Sequence, residues 1–420
     1  MVNERKDIRT LAKKYNKLQT LMCYVNKETL IEQHKKQLKG KASGIDNVTK
    51  EQYNEKLENN IDNLLARMKK FSYKPQPVKR TYIPKVGSDK LRPLGIPAYE
   101  DRLVQGCMAY VLNEIYETKF LDCSYGFRPN RNCHQAIREI NQRIMINKVN
   151  YILDADIKGF FDNVDHEWLM KFLQNDIEDN NFLRYITRFL KSGIIEEMKY
   201  QESDKGTPQG GLISPVLANV YLHYVLDLWF YKVVKPKLKG EAYLIRYADD
   251  FIIMFQYENE AQAVYGALKK RLAKFKLELA EDKTRIIPYG RFKGNKASFD
   301  FLGFSHHNSK TRTGKYTIQH KISKKKKKAK KQAINKWLKE NMHANLVDVI
   351  ERLNRKLVGM YRYYGINGMY NDLLGIYKYA KYRLYKIMSR RSQKKIKVNK
   401  YKLILTRVPI VKPKIYVQIW

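Results

Sequence analysis

The chain has 420 residues, with 82 Lys and Arg against 42 Asp and Glu and a formal net charge of +40. Its 44% hydrophobic content supports real cores, while no apolar run approaches the ~18–20 residues that span a bilayer, which argues against a membrane protein. The four cysteines form no CxxC pair, which argues against zinc ligation and for reduced cytosolic thiols.

A basic chain with 31 tyrosines suits a polyanion with stackable bases. The charge is uneven: residues 301–420 hold 31 Lys and Arg but only 4 acids. The opening "MVNERKDIRT" is charged throughout, unlike a secretory signal.

In chain order, residues 1–70 read as helical, interrupted by "KGKASGIDN" at 39–47. Strand-like pairs, prolines and a Gly-Ser-Asp turn over 71–98 predict a two-stranded hairpin. A helix follows over 99–118, then the loop "CSYGFRPNRN" at 123–132. The strand "YILDAD" (151–156) leads through a turn into a helix near 164–174. The glycine-rich "KGTPQGGLISP" (205–215) precedes a long apolar helix, and "AYLIRYADDFIIMF" (242–255) sets two acids between apolar runs. A helix near 259–276 and strands around 284–288 and 299–304 complete a pattern that fits a split βαβ sheet with helices on one face, an α+β fold. Beyond 320 the pattern becomes helical and basic. The run "KISKKKKKAKKQ" suits either a solvated helix face or one that meets phosphates, and the scarcity of acids favours phosphates.

Successive strand residues point to opposite faces, so Asp249 and Asp250 belong at a tight hairpin turn rather than inside a straight strand. Neighbouring carboxylates repel, and burying either without a partner is costly, so a cation is expected beside them. Asp156 ends its strand 93 positions before Asp249. If the two strands are neighbours, both acids lie at one end of the sheet. Hard oxygen ligands with positions left for water and phosphate are how Mg²⁺ is held, and two such ions serve phosphoryl transfer. Asp154, two residues earlier on the same face, rivals Asp156, which is preferred because the turn follows it directly.

Seven segments then occur in a telling order: "IPKVGSDKLRPLGIP", "SYGFRPNR", "DADIKGFFDNVDH", "GTPQGGLISPVLANVYL", "RYADD", "LELAEDKT" and "FLGF". Over nearly its whole length the chain resembles the bacterial group II intron-encoded reverse transcriptases, also called intron maturases. The resemblance implies a right-hand polymerase. An N-terminal extension and the start of the fingers would occupy 1–70, fingers and palm 71–310, an all-helical basic thumb 311–395 and a short basic tail 396–420. It implies DNA synthesis from dNTPs on an RNA template, extending a DNA primer or target. Two Mg²⁺ ions, with Mn²⁺ as a substitute, would be held by Asp156, Asp249 and Asp250.

The same resemblance assigns further roles. Lys85 and Arg92 would grip the incoming triphosphate, and Lys283 would protonate the leaving pyrophosphate or be merely solvated. One of Phe160 and Phe161 would lie under the sugar and clash with a 2′-hydroxyl, Phe160 being preferred, while Asp162 caps a helix. Gln209 and Gly210 would contact template or nucleotide. Arg128 and Arg131, beside Tyr125 and Phe127, would meet nucleic acid, as would the primer grip at Phe301, Leu302 and Gly303 and the thumb residues Lys324, Lys325 and Arg355. Met360 stands where the family helix carries tryptophan.

A structured intron RNA would be bound as a ribonucleoprotein and assisted in splicing, in the bacterial cytoplasm near the nucleoid, with no membrane partner and protein partners unknown. No HNH-type endonuclease is expected. The rival readings are a domesticated reverse transcriptase in phage defence or repair, an RNA-dependent RNA polymerase, and an RNA-binding splicing factor without polymerase activity.

Overall fold

A computed structural model describes residues 7–84, 91–196, 199–202, 204–207, 210–293, 297–391 and 396–419. The described strands are β1 (Val78–Pro84), β2 (Leu91–Ile96), β3 (Tyr151–Ala155), β4 (Ile194–Glu196), β5 (Lys199–Gln201), β6 (Ala242–Tyr247), β7 (Asp250–Phe255), β8 (Arg285–Pro288), β9 (Ser298–Phe301), β10 (Phe304–Lys310) and β11 (Tyr316–Ile322). The chain divides into two units. One is drawn from residues up to 84, 90–133 and 153–286, the other from 85–89, 134–152 and 287–420.

One sheet has the order β6-β7-β3-β8. Its strands β3 and β7 are apolar because nearly every side chain is buried, Ile152, Leu153 and Phe251 to Phe255 among them. Strands β6 and β7 form a hairpin in which Tyr247 faces Asp250, leaving Ala248 and Asp249 as the two-residue turn. Ala248 takes φ +59°, as hairpin turns of this length require. The helix Glu258–Lys274 packs on β7, and the almost wholly buried helix Ser214–Leu222 packs on His166–Gln174. That last helix is capped by Asp165, which accepts from the Trp168 amide. Asp162, expected to cap, instead lies within the short helix Phe160–Asn163, whose cap position is Gly159. The predicted hairpin is present as β1 and β2, antiparallel, in a second sheet of order β2-β1-β4-β5.

In the second unit the thumb boundary expected at 311 cuts through a hairpin. Strands β10 and β11 pair from Phe304↔Ile322 to Lys310↔Tyr316, in a sheet of order β11-β10-β9. After that hairpin come the helices Lys324–Glu340, Leu346–Tyr364, Tyr370–Met388 and Val398–Arg407. Leu346–Tyr364 buries Leu353, Leu357, Met360, Tyr361 and Tyr364, so Met360 fills a core position. Residues 396–419 are no loose tail. Val417 bridges Ile366, Asn354 Nδ2 donates to the Pro409 carbonyl at 2.9 Å, and Ile419 is fully buried.

Candidate active site

Strands β3 and β7 are neighbours, so Asp156, one residue past β3, and Asp249, one residue before β7, lie at the same end of the sheet. Their charges interact. The Asp249 carboxyl is pushed above the usual carboxylate range, first by burial and then by Asp156, while Arg92 and Arg246 pull the other way. Asp156 meets Lys283 Nζ at 2.5 Å, and this hydrogen bond raises the lysine above its ordinary value. Asp154, the rival ligand, is 3.6 Å from Arg285 Nε.

Asp250 opens β7 and is its one exposed residue. It acts on Lys283 through its charge. Among the described residues no three His, Cys, Asp or Glu are gathered as a metal cluster. The carboxylate oxygens nevertheless suit a hard divalent cation, which would relieve the charge penalty on Asp249 and take the place of Lys283 at Asp156.

Phe160 and Phe161 part company in the order opposite to that expected. Phe160 is 2% exposed and packs against Tyr221, so it is core. Phe161 is partly exposed and lines a pocket of about 430 Å³ with Arg80, Gly95 and Thr207. Gly159, at φ +53°, opens the short helix that carries both rings. Arg92 is exposed on β2, where its charge reaches Asp249. Gly210, at φ +111°, lies so close to the Gly95 carbonyl that a Cβ would overlap it; the missing side chain here serves backbone packing on β2. Lys85 and Gln209 fall outside the described residues.

Arg128 is not a surface contact. It is 7% exposed, pairs in a fork with both Glu117 oxygens at 2.9 and 3.0 Å, and caps the Leu121 and Ser124 carbonyls. A buried guanidinium demands such partners, so its role is structural. Arg131 is half-buried, bonds Asp122 at 2.5 Å and lies over the Tyr125 ring. In the second unit Phe301 is 4% exposed and belongs to the core. Leu302 and Gly303, both at positive φ, form the tip between β9 and β10, where Tyr363 Oη donates to the Leu302 carbonyl. Lys324, Lys325 and Arg355 are exposed.

Sequence reasoning missed Arg246, Asp227 and Asn219. Arg246 is wholly buried on β6 and bonds both Asp227 oxygens at 2.8 and 2.6 Å, Asn219 Oδ1 at 2.9 Å and the Ala248 carbonyl at 3.1 Å. The signal was available: "AYLIRY" and "HYVLDLWF" each carry one charge in an apolar run, of opposite sign, and each needs the other.

Residues 83–306 match the family described as reverse transcriptase (RNA-dependent DNA polymerase). The chain belongs to the reverse transcriptase family. Among its relatives it is 35% identical over 286 residues to the group II intron-encoded protein LtrA of Lactococcus lactis subsp. cremoris, covering 54% of this chain and 47% of that one. Protein YkfC of Escherichia coli K12 is 33% identical over 276 residues, 58% of this chain and 71% of YkfC. The putative COX1/OXI3 intron 2 protein of Saccharomyces cerevisiae is 28% identical over 300 residues, 70% of this chain and 30% of that protein. The chain thus spans about half the length of the lactococcal relative it matches. These likenesses group it with the group II intron-encoded reverse transcriptases and maturases. Among the described residues no helix is long and apolar enough to cross a membrane.

Proposed function

We propose that this reverse transcriptase is an RNA-directed DNA polymerase of the group II intron type that also binds structured intron RNA. The observation that carries the reading is the meeting of Asp156 and Asp249 at one end of adjacent strands, in a sheet within the family match. Asp156 and Asp249, with Asp250 beside them, would hold two Mg²⁺ ions, for which Mn²⁺ could substitute. Bound there, the ions supply neutralisation of the triphosphate and a lowered pKa for the primer hydroxyl.

In the reaction the primer 3′-hydroxyl attacks the dNTP α-phosphate, a P–O bond forms, and the bond to pyrophosphate breaks as the hydroxyl proton is lost. Such chemistry asks the protein mainly for positioning and charge, so no nucleophilic side chain is required. Arg92, together with Lys85, would bind the triphosphate, and Lys283 would leave Asp156 to protonate the departing pyrophosphate. Phe161 would lie under the sugar, with Gln209 at the nucleotide or template. The first unit would supply fingers and palm, and the second the primer grip and thumb.

The second reading, RNA binding, rests on the exposed Lys324, Lys325 and Arg355 in a segment poor in acids. Primer extension on an RNA template with Mg²⁺ tests the first. Asp249→Ala is expected to abolish extension while leaving RNA affinity within about twofold, since phosphate contacts dominate binding. Loss of both together would refute the division between catalysis and binding.

A further inference from the structure

We infer that the buried pair Arg246–Asp227 is a positioning device for the carboxylate turn, holding the Ala248 carbonyl and so fixing where Asp249 is presented. This rests on the proposed polymerase reading of that turn. A guanidinium and a carboxylate, each 0% exposed, forgo hydration that their attraction restores only in good geometry. Apolar replacement of such pairs is often neutral or stabilising, so stability alone does not explain this one. What the pair does that apolar residues could not is reach the turn. Arg246 Nε and Nη2 are committed to the two Asp227 oxygens, and this orients Nη1 between Asn219 Oδ1 and the Ala248 carbonyl.

The far side of the turn is closed as well. The segment Cys123–Gly126 runs beside β6, with the Arg246 amide donating to the Cys123 carbonyl and the Tyr125 amide to the Arg246 carbonyl, both at 2.8 Å. Gly126 then lies against the turn so closely that a Cβ would overlap the Ala248 nitrogen. Asn219 Nδ2 donates to the Gly126 carbonyl at 2.7 Å, so one asparagine ties the arginine to the glycine. Ala248 itself is a non-glycine residue at φ +59°, a conformation that costs about 1–2 kcal/mol and persists only where surroundings impose it. Asp227 closes a π-helical turn, His223–Asp227, a helical irregularity frequent at functional sites. The segments "SYGF", "LANVYL" and "RYADD" are thereby joined as one clamp. Arg246, Asp227, Asn219 and Gly126 are positioning residues and none of them touches substrate.

The test uses the full chain and two variants. Arg246→Met with Asp227→Leu keeps the volume apolar and releases the Ala248 carbonyl. Gly126→Ala pushes on the turn from the other side and leaves the pair intact. Mn²⁺ binding followed by electron paramagnetic resonance without substrates, amide hydrogen exchange over 247–250 and single-turnover extension are measured with melting curves. Both variants are expected to melt cooperatively, to exchange faster at 247–250, and to bind Mn²⁺ about 10-fold more weakly, the usual effect of losing a supporting partner. The turnover rate should fall roughly 10²-fold, as a misplacement near 1 Å does, with dNTP KM within about threefold. Mn²⁺ affinity, exchange and rate all within about twofold of wild type would overturn the inference. If the double variant does not fold, Gly126→Ala decides by the same readouts. A wild-type chain that fails to extend primers sinks the polymerase reading alone, because Mn²⁺ binding and exchange still judge the clamp.

Discussion

Phe160 and Phe161 are neighbours in sequence whose truncation should fail in opposite ways. Phe160 is 2% exposed, with its ring 6.3 Å from that of Tyr221 and 5.4 Å from that of Phe161. Phe160→Ala removes a whole buried ring from a packed interior and should cost about 3–5 kcal/mol. For a unit of this size that is a fall in Tm of roughly 10 °C. Phe161 is only partly covered, so Phe161→Ala should cost about 1–2 kcal/mol. Its ring forms one wall of the pocket shared with Arg80, Gly95 and Thr207. A hydrophobic wall rejects an added hydroxyl by roughly 10²-fold, so its removal should cut preference for dNTP over rNTP by up to that factor. The assay is a pair of melting curves together with kcat/KM for both nucleotides in primer extension. A Phe161→Ala enzyme that keeps full discrimination, or a Phe160→Ala enzyme that loses it while melting normally, would refute the assignment.

Four further outcomes follow from the same geometry. The rings of His306 and His320 meet edge to face at 4.9 Å across β10 and β11, with His306 also stacked on Phe299. Burial holds His306 far below the usual imidazole value and pushes His320 down to about 4. The unfolded chain therefore binds more protons between about pH 6.5 and 4, and stability should fall as pH drops through that window, by about 3 kcal/mol for His320 alone. Denaturant midpoints that stay flat over this range, or that fall as steeply in His320→Leu as in the wild type, would count against it. Arg128→Ala should cost about 3–5 kcal/mol by stranding Glu117, while leaving the salt dependence of RNA binding unchanged. Lys324→Ala with Lys325→Ala should do the reverse, lowering the slope of log affinity against log salt by about 1–2 at unchanged Tm. Gly210→Ala should weaken extension by forcing its loop from the Gly95 carbonyl, seen as lost kcat/KM with RNA affinity retained.

How much of this was legible depended on whether a residue's character matched its burial. The acids at 156 and 249 stood out because they interrupt apolar runs, and the strand pairing followed from them. The hairpin of β10 and β11 was lost for the converse reason. In "YTIQHKI" the buried positions are Ile318, His320 and Ile322, a clean two-residue period once the histidine counts as core, yet its polar identity hides the alternation. His306 opposite does the same in "FSHHNSK". Two adjacent phenylalanines carry no information about which one faces in; that is set by the left-handed Gly159 and the short helix after it. Arg128 was misread because a charged loop residue beside aromatics resembles a nucleic-acid contact, and its partner Glu117 lies outside the segment.

The buried charges were the most readable of the missed features. A lone arginine in β6 and a lone aspartate in an apolar helix cannot both be solvated where those elements are covered, so each predicts an opposite charge in the interior. Their pairing puts a rigid fork under the same turn that the visible acids occupy. Repulsion between Asp156 and Asp249 favours spreading the turn, whereas the Ala248 carbonyl held from below and Gly126 packed alongside resist it. A carboxylate pair held together against its own repulsion, with its flanking residue strained, is an arrangement that the cation proposed above would relieve.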